Sequence, residues 1–481
     1  MNTFDARNLI NAERDVRTPF RLVVRKPGAD KVELSYLKVL RLLPRRRIVA
    51  LAEYEGEQIL VKTFLGKSAA KYALRERTGV LAIARAGVRT PELLWEGEFD
   101  NGRLLAFRYL PDVVNIEQQW TLSHEPASQT DILIQVTKIL AKLHDHGVVQ
   151  HDIHLDNFLL SEGEINTIDG GAVEQRGEAP LPEKQGLSNL ALFFAQLYPR
   201  FDVLIDDVFS RYMEYRGWRI IEGRLGQFEN EVQRLRESRK LDYINKTFRD
   251  CTRFHCRTRF TRYEVCERQA YSAELAELMT TPDRFIEAGE LLKDGNSATV
   301  ALVRLSDRSL VVKRYNIKNP WHGLMKIFRK SRAWQSWKNA HRLEFLGIPA
   351  LKPVAMIENR IGPLRSSAYL ISEFIEGPDA SMSLSPDLQG ELEAIARILQ
   401  ELSDVQISHG DLKATNFVMT GKGPVMIDLD GMKEHKNQQS FERAFSRDLH
   451  RFMENWHDKP QLRSSFSGLL SDLSARHGVS L

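Results

Sequence analysis

Two stretches of this 481-residue chain hold an aspartate, an asparagine five residues on, and a second aspartate twelve residues beyond that. The first is Asp152, Asn157 and Asp169, within His151-Asp152-Ile153-His154-Leu155-Asp156-Asn157 and Ile168-Asp169-Gly170. The second is Asp411, Asn416 and Asp428, within His409-Gly410-Asp411-Leu412-Lys413-Ala414-Thr415-Asn416 and Ile427-Asp428-Leu429-Asp430-Gly431. One offset, 259, relates all three pairs (411−152, 416−157, 428−169). An aspartate that accepts a hydroxyl proton, beside an amide oxygen and a carboxylate suited to a hard cation, is a set for phosphoryl transfer from a nucleotide. One Asp-x-x-x-x-Asn alone reads as a solvated turn, but its return in register argues for chemistry.

These residues need a platform that also holds the nucleotide. The H-x-D-x-x-x-x-N loop, then a strand ending in Asp, is the core of a protein-kinase-like fold. Its repetition predicts an α+β protein of two tandem protein-kinase-like domains, at 20–270 and 283–481, each a small β-rich lobe and a helical lobe. In the first copy the strands are expected at Leu37–Leu43, Ile48–Glu53 and Ile59–Phe64, with a helix from Ala69 to Ala86 ended by Gly87. Lys62 then stands where a kinase grips the α- and β-phosphates of ATP, and Glu76 is its orienting partner. In the second copy Phe285–Leu292, Thr299–Leu305 and Leu310–Tyr315 read as strands and Arg332–Leu346 as a helix. Lys313 is the ATP lysine there, and Gly295, Asn296 and Ser297 form a phosphate-loop candidate. Asp152 and Asp411 are the candidate bases, and Asn157, Asp169, Asn416 and Asp428 the candidate Mg²⁺ ligands. Helices at Gln185–Tyr198 and Val203–Tyr215 complete the first helical lobe. With chiefly one helix, Phe441–Asn455, after Asp430, the second helical lobe is expected to be reduced.

The copies differ in detail. Lys413, two residues after the second base, suits a γ-phosphate, whereas His154 in the first copy is a poorer clamp when neutral. Glu76 lies eleven residues before Gly87, but Ser336 lies eleven before Gly347 (87−76, 347−336). Arg45, Arg46 and Arg47 in the first phosphate-loop region suit either phosphate binding or a solvated hairpin.

Composition sets the surroundings. Hydrophobic content of 42%, 27% charged residues and a net charge of +4 describe an ordinary globular chain and do not point to nucleic acid. Cys251, Cys256 and Cys266 are too few and too odd for a disulfide scaffold, which suits a reducing cytoplasm. No secretory signal and no apolar stretch of spanning length is seen. Basic residues of Lys318–Arg332 (Lys318, Lys326, Arg329, Lys330, Arg332), set among Trp321 and Phe328, suit either an anionic membrane surface or packing. The basic run Lys246–Arg268 reads first as a solvated face.

Several segments of the second half resemble the lipopolysaccharide core kinases of Gram-negative bacteria. They are Lys293-Asp294-Gly295-Asn296-Ser297-Ala298-Thr299-Val300, Trp337-Lys338-Asn339-Ala340-His341-Arg342-Leu343, Leu346-Gly347-Ile348-Pro349, His409 to Phe417 and Ile427 to Met432. The first half resembles a more distant member through Gln150 to Leu160 and Arg89-Thr90-Pro91. The resemblance covers roughly residues 30–455 and implies ATP- and Mg²⁺-dependent phosphorylation of a heptose or Kdo hydroxyl. It also implies a lipopolysaccharide core or lipid-linked sugar acceptor, met by a cytoplasmic protein peripheral to the inner face of the inner membrane. Competing readings are a protein kinase, disfavoured because Asp-Phe-Gly and Ala-Pro-Glu are absent, a small-molecule phosphotransferase, and a tandem kinase/pseudokinase scaffold in lipopolysaccharide assembly.

Overall fold

The computed structural model describes residues 2–13, 15–28, 31–123, 125–316, 330–362 and 364–478. The chain divides into two compact units, residues 1–197 with 201–236 and residues 198–200 with 237–481. Each is α+β, with a seven-stranded sheet, a long helix, short hairpins and a helical part.

In the first unit the sheet runs, edge to edge, Asn2–Phe4, Phe20–Val24, Val32–Leu43, Arg47–Tyr54, Glu57–Leu65, Gly102–Arg108 and Leu93–Phe99. The first pair is parallel and the others antiparallel. Period-two alternation sends Leu34 and Tyr36, Ile59 and Val61, and Leu104 and Ala106 to one buried face. Lys62 thereby points to the other face, paired in register with Val49 and Leu105. The helix Ala69–Arg85 buries Ala69, Ala73, Glu76, Val80 and Ile83, a stripe at three- and four-residue spacing. The helices Pro126–Asp145, Glu183–Phe194 and Ile205–Tyr215 close a core around Leu133, Leu140, Leu190, Phe209 and Tyr212. Two short antiparallel pairs, Phe158–Ser161 with Glu164–Thr167 and Val148–Gln150 with Val173–Gln175, frame the loop that carries Asp152 and the one that carries Asp169.

The second unit repeats this plan. Its antiparallel sheet runs Phe254–Thr258, Arg262–Glu267, Pro353–Ile361, Leu364–Glu373, Ser309–Tyr315, Ala298–Arg304 and Glu290–Gly295. The helix Arg332–Leu346 is capped by Ser331, whose side chain accepts from Trp334 N at 3.1 Å. It ends at Gly347, as the sequence predicts. Trp337 and Trp456 are wholly buried, and each full burial is worth roughly 2–3 kcal/mol. The pairs Phe417–Thr420 with Gly423–Met426 and Ile407–Ser408 with Lys433–Glu434 frame the second catalytic loop.

Four expectations are corrected. The division falls inside the helix Arg224–Lys246, not near residue 270, because the hairpin Phe254–Glu267 hydrogen-bonds to Pro353–Ile361 and so extends the second sheet. The first unit begins before residue 20, because Asn2–Phe4 pairs with Phe20–Val24. Phe285–Leu292 is not one strand: Pro282 at a first helical position starts the helix Pro282–Ala288, which buries Ile286, and the strand is Glu290–Gly295. The second helical part is fuller than its sequence suggested, since Gln438–Glu454 is followed by Pro460–Leu469 and Ser471–His477.

Candidate active site

In the first unit, Lys62 and Glu76 form a buried ion pair through Nζ and Oε1. Lys62 Nζ also lies 3.7 Å from Asp169 Oδ1. Arg47 joins them, 3.4 Å from Asp169 Oδ1 and 3.8 Å from Glu76 Oε2. Burial pushes the Asp169 carboxyl up, but Lys62 and Arg47 outweigh it and hold the group below the usual carboxylate range. Asp169 sits at φ 69°, left-handed backbone that a non-glycine residue rarely adopts. Of the three adjacent arginines, Arg47 therefore faces the site, while Arg45 pairs with Glu13.

Close backbone packing locks this arrangement. A Cβ on Gly79 would stand 1.9 Å from Gly170 O, and a Cβ on Gly170 would stand 2.5 Å from Val80 N. The helix and the Asp169 loop thus touch backbone to backbone, and Glu76 Oε1 accepts from Gly170 N at 3.2 Å. The catalytic loop is closed by Asn157, whose Nδ2 donates to Asp152 O at 2.7 Å. Asp152 is exposed, with His154 Nε2 at 3.8 Å. A cavity of about 700 Å³ is lined by Val49, Leu60, Lys62, Phe107, Asn157 and Asp169 among others. Apolar walls ending in a lysine and a metal-type carboxylate fit a nucleotide base and its phosphates.

In the second unit, Lys313 Nζ reaches Asp428 Oδ1 directly at 2.5 Å. Burial would raise the Asp428 carboxyl, yet Lys313 draws it down to about 2. Asp428 repeats the left-handed backbone, at φ 61°. Ser336 takes the place expected from its spacing and bonds Tyr315 OH at 2.8 Å. The Glu344 carboxylate, near the end of the same helix, pairs with Arg253 at 2.7 Å and accepts from Tyr243 OH at 2.7 Å. The helix meets the metal loop through a side chain: Asn339 Nδ2 donates to Leu429 O at 2.8 Å and Met432 O at 3.1 Å. Arg332 pairs with Asp430 and donates to Ser297 O at 3.2 Å, tying the phosphate-loop candidate to the metal loop. Gly295 and Asn296 lie in the same hairpin, and Asn316 Nδ2 donates to Gly295 O at 3.1 Å.

The second catalytic loop is the more heavily engaged. Asn416 Nδ2 donates to Asp411 O at 2.8 Å, which leaves its Oδ1 as the group available to a cation. Asp411 Oδ2 meets Lys413 Nζ at 3.1 Å and its Oδ1 meets Arg451 Nε at 2.7 Å. Gly410, at φ 83°, has room for no Cβ, since one would fall 2.7 Å from Gly431 O. Asp448 accepts from His409 N at 2.6 Å and Gly410 N at 3.0 Å. The first unit uses Asn189 at the same offset (448−259), with Nδ2 donating to Gln150 O at 2.8 Å. Sequence reading missed Asp448, Asn189 and Arg451. Their equal distance from the bases in the two copies, 37 residues (448−411, 189−152), was the available signal for the two anchors.

Part of the charge seen in the sequence is paired within the second unit. Arg253, Arg262 and Arg268 pair with Glu267, Glu264 and Asp250. Lys330 Nζ lies 3.5 Å above the Trp334 ring. Lys318, Trp321, Lys326, Phe328 and Arg329 lie outside the described residues. Among the described residues no helix is long and apolar enough to cross a membrane.

Residues 287–467 match the lipopolysaccharide kinase (Kdo/WaaP) family. The match lies within the second unit, the half whose motifs suggested it. Residues before 287 lie outside that match. No curated protein matches the chain. A solved structure of WaaP in complex with acyl carrier protein is 20% identical, with a TM-score of 0.32, over 41% of this chain and 88% of that one. The Mycobacterium tuberculosis PknI kinase domain is 18% identical, with a TM-score of 0.29, over 42% of this chain and 95% of that one. A point mutant of the PknI domain is 19% identical, with a TM-score of 0.27, over 34% and 72%.

Proposed function

We propose that the chain is a tandem kinase-like protein whose second unit phosphorylates a hydroxyl of a lipopolysaccharide inner-core sugar, heptose or Kdo, at the expense of ATP. The observation that carries this reading is the second catalytic loop. Asp411 is held by two cations within a domain of the lipopolysaccharide kinase family. Asp411 takes the proton from the acceptor hydroxyl as its oxygen bonds to the γ-phosphorus and the bond to the nucleoside diphosphate breaks. Lys413 offsets charge on the γ-phosphate, and Lys313 holds the α- and β-phosphates. Asn416 and Asp428 would hold Mg²⁺: an amide oxygen and a carboxylate kept ionised by Lys313 are a hard-oxygen donor set that fits it. When bound, the ion neutralises charge on the phosphates.

The first unit, by the same reading, binds nucleotide through Lys62, Glu76, Asn157 and Asp169 and transfers phosphate slowly or not at all. Among the described residues its base, Asp152, is met only by an imidazole 3.8 Å away, where the second unit places two cations. Reversible attachment to the inner face of the inner membrane would bring the protein to a lipid-linked acceptor. Retention on anionic vesicles at low salt, lost at physiological salt, is the expected mark of such attachment. The test of function is mass spectrometry of core oligosaccharide from a deletion strain and its parent. The expected result is the loss of one phosphate, restored by the wild-type gene and not by Asp411→Ala. An unchanged core would overturn the reading.

A further inference from the structure

The second unit presents a guanidinium that the transfer chemistry leaves unused. Arg451 forms an ion pair with Asp411, its Nε 2.7 Å from Oδ1. Among the described residues no hydrogen bond from its Nη1 or Nη2 is seen, and 47% of the side chain is exposed. Its placement is firm. Arg451 lies on the helix Gln438–Glu454, one turn beyond Asp448, whose buried carboxylate accepts the His409 and Gly410 amides. One helix therefore fixes both the loop that bears the base and the arginine beside it.

Two cations flank Asp411, but the nucleotide has use for only one. Lys413, two residues from the base in the same loop, is the cation for the γ-phosphate. Arg451 approaches the other carboxylate oxygen from a different element. It still offers a planar fork of N–H donors, the geometry that binds carboxylate or phosphate in bidentate fashion. In the first unit the same offset brings Leu192 to this position (451−259), so the cation is a property of the second site and not of the fold.

We propose that Arg451 is a specificity-determining residue that binds an anionic group of the acceptor sugar, set beside the hydroxyl to be phosphorylated. This rests on the reading of the second unit as the transferring site. Because Nε stays on Asp411, an anion held by Nη1 and Nη2 is adjacent to the base and therefore a carbon or two from the reacting hydroxyl. A ring carboxylate and a neighbouring phosphate ester share this chemistry.

The test uses the full chain with Mg-ATP and three forms of one inner-core oligosaccharide: untreated, carboxyl-methylated and phosphatase-treated. Arg451→Gln should raise KM for the untreated acceptor roughly 10- to 100-fold, as loss of a charge-assisted pair does. Its kcat should change less than KM, and Arg451→Lys should recover part of the loss. With wild-type protein, one of the two neutralised acceptors should show the same rise in KM, and Arg451→Gln should add little to it. That acceptor identifies the anion as carboxylate or phosphate. Equal losses for Arg451→Gln on all three acceptors would mean that Arg451 only positions Asp411, and the proposal falls. An effect on the KM of ATP instead would overturn it too. If wild-type protein phosphorylates none of the three, the functional reading itself fails, a result distinct from transfer that ignores acceptor charge.

Discussion

The two sites solve the same problem with different contacts between helix and metal loop. In the first unit Gly79 and Gly170 bring backbone against backbone, and Glu76 reaches Lys62. In the second, Asn339 stands in the place of Gly79 (339−79 equals 347−87) and donates to Leu429 O, the counterpart of Gly170 (429−170 equals 411−152). A side chain thus separates the two elements, Ser336 replaces the glutamate, and Lys313 turns to Asp428. Around the base the contrast reverses. Asp411 is clamped by Lys413 and Arg451 and its loop is anchored by the carboxylate of Asp448. Asp152 is open, and its loop hangs on the neutral Asn189. On the proposed reading, these contacts suit the first unit to holding phosphates and the second to acting on a hydroxyl. Retaining a residue type is not the same as retaining its partners.

The sharpest way to break this comparison is to remove each base in turn. Asp411→Ala should lower turnover by three orders of magnitude or more, roughly the loss of a general base and its oriented charge, with the fold unchanged by circular dichroism. Asp152→Ala should leave turnover within about twofold. The reverse pattern would move the chemistry to the first unit.

Next in size is the glycine contact. Gly79→Ala sets a methyl group against Gly170 O and should cost the first unit about 3 kcal/mol, read by denaturant unfolding. Asn339→Gly in the second unit should cost less at the backbone but leave the Leu429 and Met432 carbonyls without their shared donor.

Nucleotide binding by the first unit comes third. In an Asp428→Asn background, saturating Mg-ATP at a hundred times its dissociation constant should stabilise the full chain by roughly 2.7 kcal/mol. Lys62→Met should abolish that gain, seen as the loss of a nucleotide-dependent shift in Tm. If the shift survives Lys62→Met, the cavity around Lys62 is not the nucleotide site.

The smallest expected effect depends on pH. His144, buried in the first helical core between Tyr212 and Asn189, is held at about 4, mainly by burial. The unfolded chain takes up the proton near pH 6.5 and the folded one only near 4. The neutral ring therefore adds stability above pH 6.5, and this is lost as pH falls towards 4, by on the order of 2 kcal/mol. Hydrogen exchange of Pro126–Asp145 and Glu183–Phe194 should quicken across that interval, and His144→Gln should flatten the change. Ser403 at the matching position of the second unit (403−259) carries no such titration.

Residues tied to local backbone chemistry were legible in the sequence. The short turns that carry Asp152 and Asp411, the Arg332–Leu346 helix with its Gly stop, and the Lys62–Glu76 pair follow from spacing and periodicity. Asp448 and Arg451 were not, because an acidic or basic residue on an amphipathic helix looks the same whether it faces water or a loop 37 residues earlier (448−411). The hairpin Phe254–Glu267 was assigned to the wrong unit because strand pairing across nearly a hundred residues leaves no local mark. The run Phe285–Leu292 misled because two adjacent apolar residues serve a short helix as well as a strand.

The Gly79–Gly170 contact also bears on how small molecules could tell the two sites apart. An inhibitor that gains affinity by wedging a ring behind the nucleotide lysine needs a gap between helix and metal loop. In the first unit that gap is closed by main chain, which has no rotamer to yield. In the second it is filled by the amide of Asn339, a group that a ligand with donors for the Leu429 and Met432 carbonyls and an acceptor for Arg342 could displace and imitate. Compounds elaborated in that direction should discriminate for the second site, whereas compounds confined to the nucleotide cleft should favour the first.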